Sequence, residues 1–144
     1  ESELEFIPLF DCNTYVYVWK KNPIASKSSV SLQELEKYPC LTFDQGKTNS
    51  FYFAEEVFST YEYKQTIQVD DRASMLNLMV GLNGYTLCSG IICEELNGSD
   101  YAAVPLKETE VMTIGYVKRK SIQLSELAQL YVNELAKYKN LVPK

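Results

Sequence analysis

The chain has 144 residues, a hydrophobic share of 46% and a formal net charge of −5. This is the length of one domain, with enough apolar residues for a core. Its charges are scattered and its apolar runs are short, which argues against a basic nucleic-acid surface and against a membrane span of ~20 residues.

The first part of the chain predicts two extended segments and a short helix. Residues 4–10 are weakly alternating, and residues 14–19, where Tyr and Val alternate, have the pattern of a strand. Ser31 and Glu34 have the spacing of a capping box, in which each side chain accepts a hydrogen bond from an otherwise free backbone amide. The helix that they begin is expected to end about three residues later, before a proline.

A polar loop at 44–50 connects a strand predicted at 40–43 to a helix predicted at 51–60. Asn49 or Ser50 would cap this helix, and an anion would be favoured there by the free amides and the helix dipole. The same residue types cap ordinary helices, whether or not a ligand binds. Both interpretations stay open, and the spacing alone favours the ordinary cap.

Residues 64–90 predict a strand, a helix and a second strand. The strand at 66–69 is rich in β-branched residues, and the aspartate pair 70–71 offers a cap to the helix that follows. Apolar residues recur along the helix every three or four positions, and the Asn-Gly pair 83–84 ends it because both residues tolerate positive φ. The second strand, at 85–88, is expected to be the parallel neighbour of the first.

Parallel strands place their carboxyl ends at one edge of a sheet, and small molecules bind in the crevice beyond that edge. The sequence therefore predicts a small-molecule crevice after residues 43, 69 and 88. The aspartate pair 70–71 is the one acidic pair at such an end, and its position favours helix capping over acid–base catalysis.

The last part of the chain predicts a helical turn with a loop at 91–100, strands at 101–106 and 111–117, and a helix that begins at Ser125. The basic triplet 118–120 is interpreted as a solvated turn rather than a phosphate site. The last helix has an apolar stripe, formed by Leu124, Leu127, Ala128, Tyr131, Leu135 and Tyr138.

Several classes of chemistry lack their usual residues. The chain has no histidine, which is the commonest general base and metal ligand. Its four cysteines, Cys12, Cys40, Cys88 and Cys93, form no CxxC pair, and three lie in apolar runs, so we interpret them as buried free thiols in a reducing cytoplasm. The nucleotide and nucleophile-elbow motifs are also missing. The residues therefore favour binding over catalysis and predict no cofactor or metal.

The order of these motifs resembles the effector-binding domain of LysR-type transcriptional regulators. Pro-Leu-Phe at 8–10 precedes a strand that leads to Asn-Pro-Ile-Ala at 22–25, where the family often has His-Pro-Leu-Ala. The strand–helix–strand unit 64–90 follows, then Val-Pro-Leu at 104–106 and an amphipathic helix. The resemblance covers nearly the whole chain.

The resemblance implies an α/β fold of the type 2 periplasmic-binding-protein-like class, in which a ligand lies between two lobes. Residues 14–104 would form one complete lobe, a parallel-rich sheet flanked by helices. Residues 1–13 and 105–144 would supply hinge strands and a remnant of the other lobe. The chain 1–144 would then be a partial effector-binding domain, and the winged helix-turn-helix that contacts DNA would be absent.

The resemblance also implies a function and a set of ligand contacts. The domain would sense a small anionic metabolite as inducer or co-inducer, and the segment 44–48 looks most like the branch that senses sulfur-assimilation or amino-acid precursors. The Thr48 hydroxyl, at a helix N-terminus, would be aimed at a carboxylate of the ligand. The implied ligand-binding residues are Gln45, Gly46, Thr48, Asn49, Asp71 and Ser89.

The implied protein is a cytoplasmic bacterial regulator without enzymatic activity or cofactor, assembled as a homodimer or homotetramer that contacts DNA only through its missing domain. Two alternatives share the fold: a solute-binding protein of a transport system, and a lyase of the prephenate-processing kind with a catalytic carboxylate in the cleft. The resemblance also predicts that Met112, Ile114, Tyr116 and the helix 125–139 pair with another chain, because their usual neighbours are missing.

Overall fold

The computed structural model describes residues 3–44, 61–108 and 110–143. The strands in these ranges are β1 (Leu4–Asn13), β2 (Tyr15–Trp19), β3 (Cys40–Phe43), β4 (Thr66–Val69), β5 (Tyr85–Cys88), β6 (Tyr101–Pro105) and β7 (Val111–Arg119). The α-helices in these ranges are α1 (Leu32–Leu35), α2 (Arg72–Leu82), α3 (Glu94–Asn97) and α4 (Glu126–Ala136). Short 3-10 turns occupy Pro23–Ser26 and Lys137–Leu141. None of the described helices is long and apolar enough to cross a membrane.

Five strands form one mixed sheet in the order β4-β3-β5-β2-β6. β3 is parallel to both β4 and β5, whereas β2 is antiparallel to both β5 and β6. The strands β4 and β5 are therefore parallel as predicted, but the prediction that they are neighbours is wrong, because β3 lies between them. The physical reason is burial: Cys40 and Leu41 are 2% and 0% exposed, and a position inside the sheet keeps both faces of this apolar strand out of water.

The alternation of β2 divides the core between the two faces of the sheet. Val16 and Val18 point to one face, where they pack with the 3-10 turn and α1. Tyr17 points to the other face, where it packs with Met75 and Met79 of α2. Because the side chain of Tyr17 is on the α2 side, β2 contributes to whatever site forms between that helix and the sheet.

The predicted capping box of α1 is confirmed. The Ser31 hydroxyl accepts a hydrogen bond from the Glu34 amide, and the Glu34 carboxylate accepts one from the Ser31 amide at 2.9 Å. The same carboxylate forms ion pairs with Lys27 and Lys107. The hydrogen bond from Lys27, followed by those from the Ser31 amide and Lys107, lowers the pKa of Glu34 well below its ordinary value.

The C-terminus of α2 is held by a buried asparagine from another part of the chain. Asn83 ends the helix in the left-handed conformation, with φ 56°, as predicted for the Asn-Gly pair. Gly84 serves a different purpose, since a Cβ there would lie 3.0 Å from a methyl group of Leu41. Asn22 donates a hydrogen bond from Nδ2 to the Asn83 carbonyl and accepts one at Oδ1 from the Ile24 amide, each at 2.9 Å.

The strands β1 and β7 form a separate antiparallel ribbon. The strand β7 continues two residues beyond the predicted end at 117, because Lys118 and Arg119 pair with Glu5 and Leu4 of β1 and Lys118 also forms a salt bridge with Glu5. The prediction that the basic triplet 118–120 forms a solvated turn is therefore correct only for its last residue, Lys120.

Gly115 marks the closest approach between the two strands of the ribbon. It pairs with Pro8, next to a register shift in β1 between Pro8 and Phe10. A Cβ at this position would lie 2.3 Å from the backbone oxygen of Ile7 and 2.5 Å from the ring of Phe6. A side chain of any size is therefore excluded there.

The apolar stripe of α4 is divided between two environments. The helix starts at Ser125 as predicted, and the hydroxyl of this residue caps it by accepting a hydrogen bond from the Ala128 amide. Leu124, Ala128 and Leu135 are half-buried, and the helix contacts β1. A second apolar set, which we name the α4 surface, is exposed; it consists of Leu127, Leu130, Tyr131, Tyr138 and Leu141.

Candidate functional site

The carboxyl ends of β3, β4 and β5 meet at one edge of the sheet, as the sequence predicts. Phe43 pairs with Val69 at the ends of β3 and β4, and Cys40 pairs with Tyr85 at the starts of β3 and β5. The Asp44 amide continues this alignment by donating a hydrogen bond to the Val69 carbonyl at 2.8 Å. Because all three strands have four residues, their ends lie side by side.

A cavity of about 220 Å³ lies at this edge. Small-molecule sites have volumes from about 300 Å³ upwards, so this one matches a ligand of a few heavy atoms. Strand ends, α2, the segment after β5 and the ribbon all contribute to its lining, which includes Tyr17, Phe43, Arg72, Cys88, Asn97 and Met112. The predicted crevice beyond the parallel strand ends is therefore present.

Most of the predicted ligand residues cannot be compared with this cavity. Gln45, Gly46, Thr48 and Asn49 lie outside the described residues, as does the helix predicted at 51–60. In the sequence, they come shortly after Phe43, which ends β3 and lines the cavity. Their role as ligand contacts stays a prediction.

Asp71 precedes the cavity residue Arg72 and caps α2, as the sequence predicts. Its carboxylate accepts hydrogen bonds from the Ser74 amide at 2.8 Å and from the Ser74 hydroxyl at 2.6 Å. These bonds, the hydroxyl's first, lower the pKa of Asp71. Ser89 follows β5, and its hydroxyl accepts a hydrogen bond from the Ile91 amide at 3.4 Å. Their immediate neighbours, Arg72 and Cys88, line the cavity, and ligand binding by Asp71 and Ser89 stays a prediction.

Arg72 is a cavity residue that sequence reasoning missed. It is the first residue of α2, is exposed, and lines the cavity. The guanidinium group favours an anion, whereas the Ser74 amide at this helix N-terminus already donates to the Asp71 carboxylate. The available signal was its position, directly after a strand end and a capping aspartate, but a local pattern does not give the direction of a long side chain.

Tyr17 places a phenol group in the lining. The side chain is 6% exposed and comes from the middle of β2. Burial is the main cause that raises the pKa of Tyr17 to about 12; Tyr101 and Cys88 act in the same direction, and the charge of Arg72 acts in the opposite one. The phenol is therefore protonated at neutral pH.

No disulfide joins any of the four cysteines among the described residues. Cys12 and Cys40 are buried as predicted, whereas Cys93 is exposed. Burial raises the pKa of Cys88 to about 11, although the Gly90 amide donates a hydrogen bond to its sulfur. A thiol with this pKa is protonated at neutral pH and is a poor nucleophile.

The rest of the lining consists of the apolar residues Leu41, Met75, Leu76, Leu87, Ile91 and Ile92, together with Cys40, Thr42, Tyr63 and Thr86. Across the described ranges, no group of three His, Cys, Asp or Glu residues is placed to hold a metal ion. The geometry thus combines apolar walls with a cation and a few neutral polar groups, an arrangement suited to holding a small anion.

Residues 1–139 match the family model of the LysR substrate binding domain. No curated protein matches the chain significantly. The structure is similar to that of the PA01 protein, a putative LysR family transcriptional regulator from Pseudomonas aeruginosa, with a TM-score of 0.68 and 18% identity over 97% of this chain and 50% of that one. The chain therefore spans half the length of that regulator.

Two similar structures contain ligands. The effector binding domain of QuiR, in complex with shikimate, has a TM-score of 0.62 and 18% identity over 96% of this chain and 66% of that one. The CcmR regulatory domain of Synechocystis PCC6803, in complex with 2-PG, has a TM-score of 0.62 and 18% identity over 98% of this chain and 69% of that one. At these identities the likeness shows the fold alone.

The family match and these structures confirm the predicted fold class, which is type 2 periplasmic-binding-protein-like. The family consists of ligand-binding domains of transcriptional regulators and is not a family of enzymes. The chain belongs to the LysR substrate binding domain family.

Proposed function

We propose that this domain senses a small anionic metabolite as inducer or co-inducer of a LysR-type regulator in the bacterial cytoplasm, and that it has no enzymatic activity of its own. The observation that carries the proposal is the convergence of three parallel strand ends on a cavity that Arg72 lines from a helix N-terminus. Metabolites with a carboxylate, including precursors in sulfur or amino-acid metabolism, match a site with this charge.

The electrostatics of the rim support an anion. Arg72 carries a full positive charge at the N-terminus of α2 and lines the cavity. The carboxylate of Asp71 accepts two hydrogen bonds from Ser74. These bonds hold it at the helix cap, while Arg72 lines the cavity.

The loop after β3 is the second source of ligand contacts in the proposal. The hydrogen bond from the Asp44 amide to the Val69 carbonyl fixes the start of this loop at the cavity edge. Gln45, Gly46, Thr48 and Asn49 follow within five residues of that point. We assign these four, with Asp71 and Ser89 at the neighbouring strand ends, as the ligand-binding residues.

Ligand binding would change DNA binding through the assembled regulator. A ligand changes an equilibrium between conformations only by its difference in affinity for them. In the proposed protein, residues 14–104 close on the ligand against a second lobe, to which 1–13 and 105–144 lead. The closure then changes how a homodimer or homotetramer contacts DNA through a winged helix-turn-helix outside this chain.

The test is a thermal-shift titration of the full-length regulator with sulfate, O-acetylserine, 2-oxo acids and hydroxy acids. A ligand at one hundred times its Kd stabilises the folded state by about 2.7 kcal/mol, which corresponds to about 5–10 °C in Tm for a domain of this size. We expect at least one compound to produce such a shift and to change operator binding in a gel-shift assay.

Arg72→Gln is the matched variant, and Arg119→Gln, in the ribbon, is its control. The first should weaken binding at least tenfold, because the guanidinium charge is lost from the cavity, and the second should leave it unchanged. If no compound shifts Tm, the sensing function fails. If a compound binds without any effect on DNA binding, the solute-binding alternative is favoured.

A further inference from the structure

The hydroxyl group of Tyr17 is a buried donor without a partner. Its oxygen has no contact with solvent and no hydrogen bond within the part of the chain that the structure describes. Nearly all buried polar groups in folded proteins have a partner, because an unpaired one loses its bonds to water without replacement. An unpaired phenol in a cavity lining therefore calls for a functional explanation.

The ring is fixed, so the hydroxyl cannot simply turn towards solvent. Tyr17 is stacked on Tyr101, with ring centroids 5.3 Å apart and an angle of 18° between the planes. The Tyr101 hydroxyl is itself held by a hydrogen bond to the Leu76 carbonyl at 3.2 Å. The packing of β2, β6 and α2 thus keeps the Tyr17 phenol in one place, at the expense of an unmade hydrogen bond.

Two features define what the hydroxyl is suited to bind. The phenol is neutral at physiological pH, so it offers a proton to an oxygen acceptor rather than a charge. It also lines the same cavity as Arg72, whose charge is felt at the phenol. The cavity lining therefore combines a cation with a neutral donor, and a ligand must displace the atoms that cover the Tyr17 oxygen to reach it.

We propose that Tyr17 donates a hydrogen bond to a hydroxyl or carbonyl oxygen of the bound metabolite, and that the domain thereby selects hydroxy or oxo carboxylates over analogues that lack this oxygen. The inference rests on the proposed function, in which Arg72 faces the carboxylate. A binding site that pairs a buried polar group with its ligand discriminates strongly against a ligand that leaves this group unpaired. We expect a preference of at least tenfold.

The first experiment removes only the oxygen atom, by Tyr17→Phe in the full-length protein without ligand. Because the hydroxyl has no partner to lose, Tm should stay within about 2 °C of the wild type or rise. Tyr101→Phe is the matched control, since the same change on the stacked ring removes a hydrogen bond that is made. It should lower Tm.

The second experiment measures binding of three pairs of probes by calorimetry: lactate with propionate, malate with succinate, and shikimate with cyclohex-1-ene carboxylate. Each pair differs by hydroxyl groups alone. The wild type and Tyr101→Phe should prefer the hydroxylated member of at least one pair at least tenfold. Tyr17→Phe should bind both members of that pair within threefold of each other.

The outcomes separate this inference from the proposed function. A fall of more than 5 °C in Tm for Tyr17→Phe without ligand would show a structural hydrogen bond and would overturn the inference. Binding of probes with the same preference in Tyr17→Phe and wild type would also overturn it, while the sensing function stands. Failure of all six probes to bind the wild type would overturn the inference together with the anionic ligand that it assumes.

Discussion

Asn22 offers the sharpest test of how the fold positions the site, because it ties the end of α2 to the segment after β2. Its side chain is 2% exposed and makes two hydrogen bonds, to the Asn83 carbonyl and from the Ile24 amide. Asn22→Ala removes both. The bond to the Asn83 carbonyl contributes about 1 kcal/mol, and leaving the buried Ile24 amide without a partner costs about 1–3 kcal/mol.

We therefore expect Asn22→Ala to lower the free energy of unfolding by about 2–4 kcal/mol. At about 2–4 °C per kcal/mol for a chain of about this size, the loss in Tm is about 4–16 °C. Urea denaturation followed by circular dichroism measures the energy, and a thermal scan measures Tm. A loss below about 0.5 kcal/mol would refute the reasoning, because a single hydrogen bond is worth that much.

Asn22→Asp separates the two bonds. It keeps the acceptor for the Ile24 amide but places a carboxylate oxygen against the Asn83 carbonyl. This repulsion and the burial raise the pKa of the new carboxyl in the folded state above its value in the unfolded state. The folded state then binds the extra proton, so the variant should gain stability relative to the wild type as pH falls from 7 to 5. A difference that does not change with pH would contradict the geometry.

The remaining expectations concern the ribbon, α1 and the α4 surface. Gly115→Ala should destabilise the fold by about 1–3 kcal/mol or more, because its Cβ would overlap a backbone oxygen, whereas Gly81→Ala, with nothing within 4 Å, should be neutral or stabilising. Glu34→Gln should lower Tm at pH 7 and make the decrease in Tm below pH 4.5 less steep. The reason is that the lowered pKa of this carboxyl stabilises the fold above pH 4.5, and this stabilisation is lost as pH falls further. Leu127→Ser with Tyr131→Ser should reduce self-association in sedimentation velocity and leave Tm nearly unchanged, because both side chains are exposed, by 77% and 65%.

Each of these has an outcome that would count against it. Equal unfolding curves for the two glycine variants would mean that the ribbon is not packed as described. If Tm decreased equally steeply below pH 4.5 in Glu34→Gln and in the wild type, the ion pairs of Glu34 would not persist in solution. A protein that is monomeric with the α4 surface intact would contradict the predicted pairing of the helix 125–139, and with it that of Met112, Ile114 and Tyr116, with another chain.

The sequence predicted well what local chemistry decides. The strand at 66–69, the cap at Asp71, the left-handed residue Asn83 and the strand at 85–88 all depend on residues near each other in the chain, and the structure has each of them. The sequence also predicted that the carboxyl ends of these two strands lie at the same edge of the sheet, because a crossover helix makes two strands parallel.

What the sequence did not predict depends on distant partners. β3 lies between β4 and β5 because both of its faces need burial, which no local pattern of 64–90 records. The length of β7 follows from its pairing with Glu5, more than one hundred residues earlier. For Tyr17, alternation predicts the strand but does not reveal whether its hydroxyl has a partner.

Because of Met112, the cavity wall consists of two separate structural units. This side chain reaches the lining from the ribbon, while the other walls come from the sheet, α2 and the segment after β5. A guest molecule that fills the space therefore presses on two separately hydrogen-bonded units at once. The flexible thioether can yield to guests of slightly different width, and the strand that carries it pairs with β1, which contacts α4.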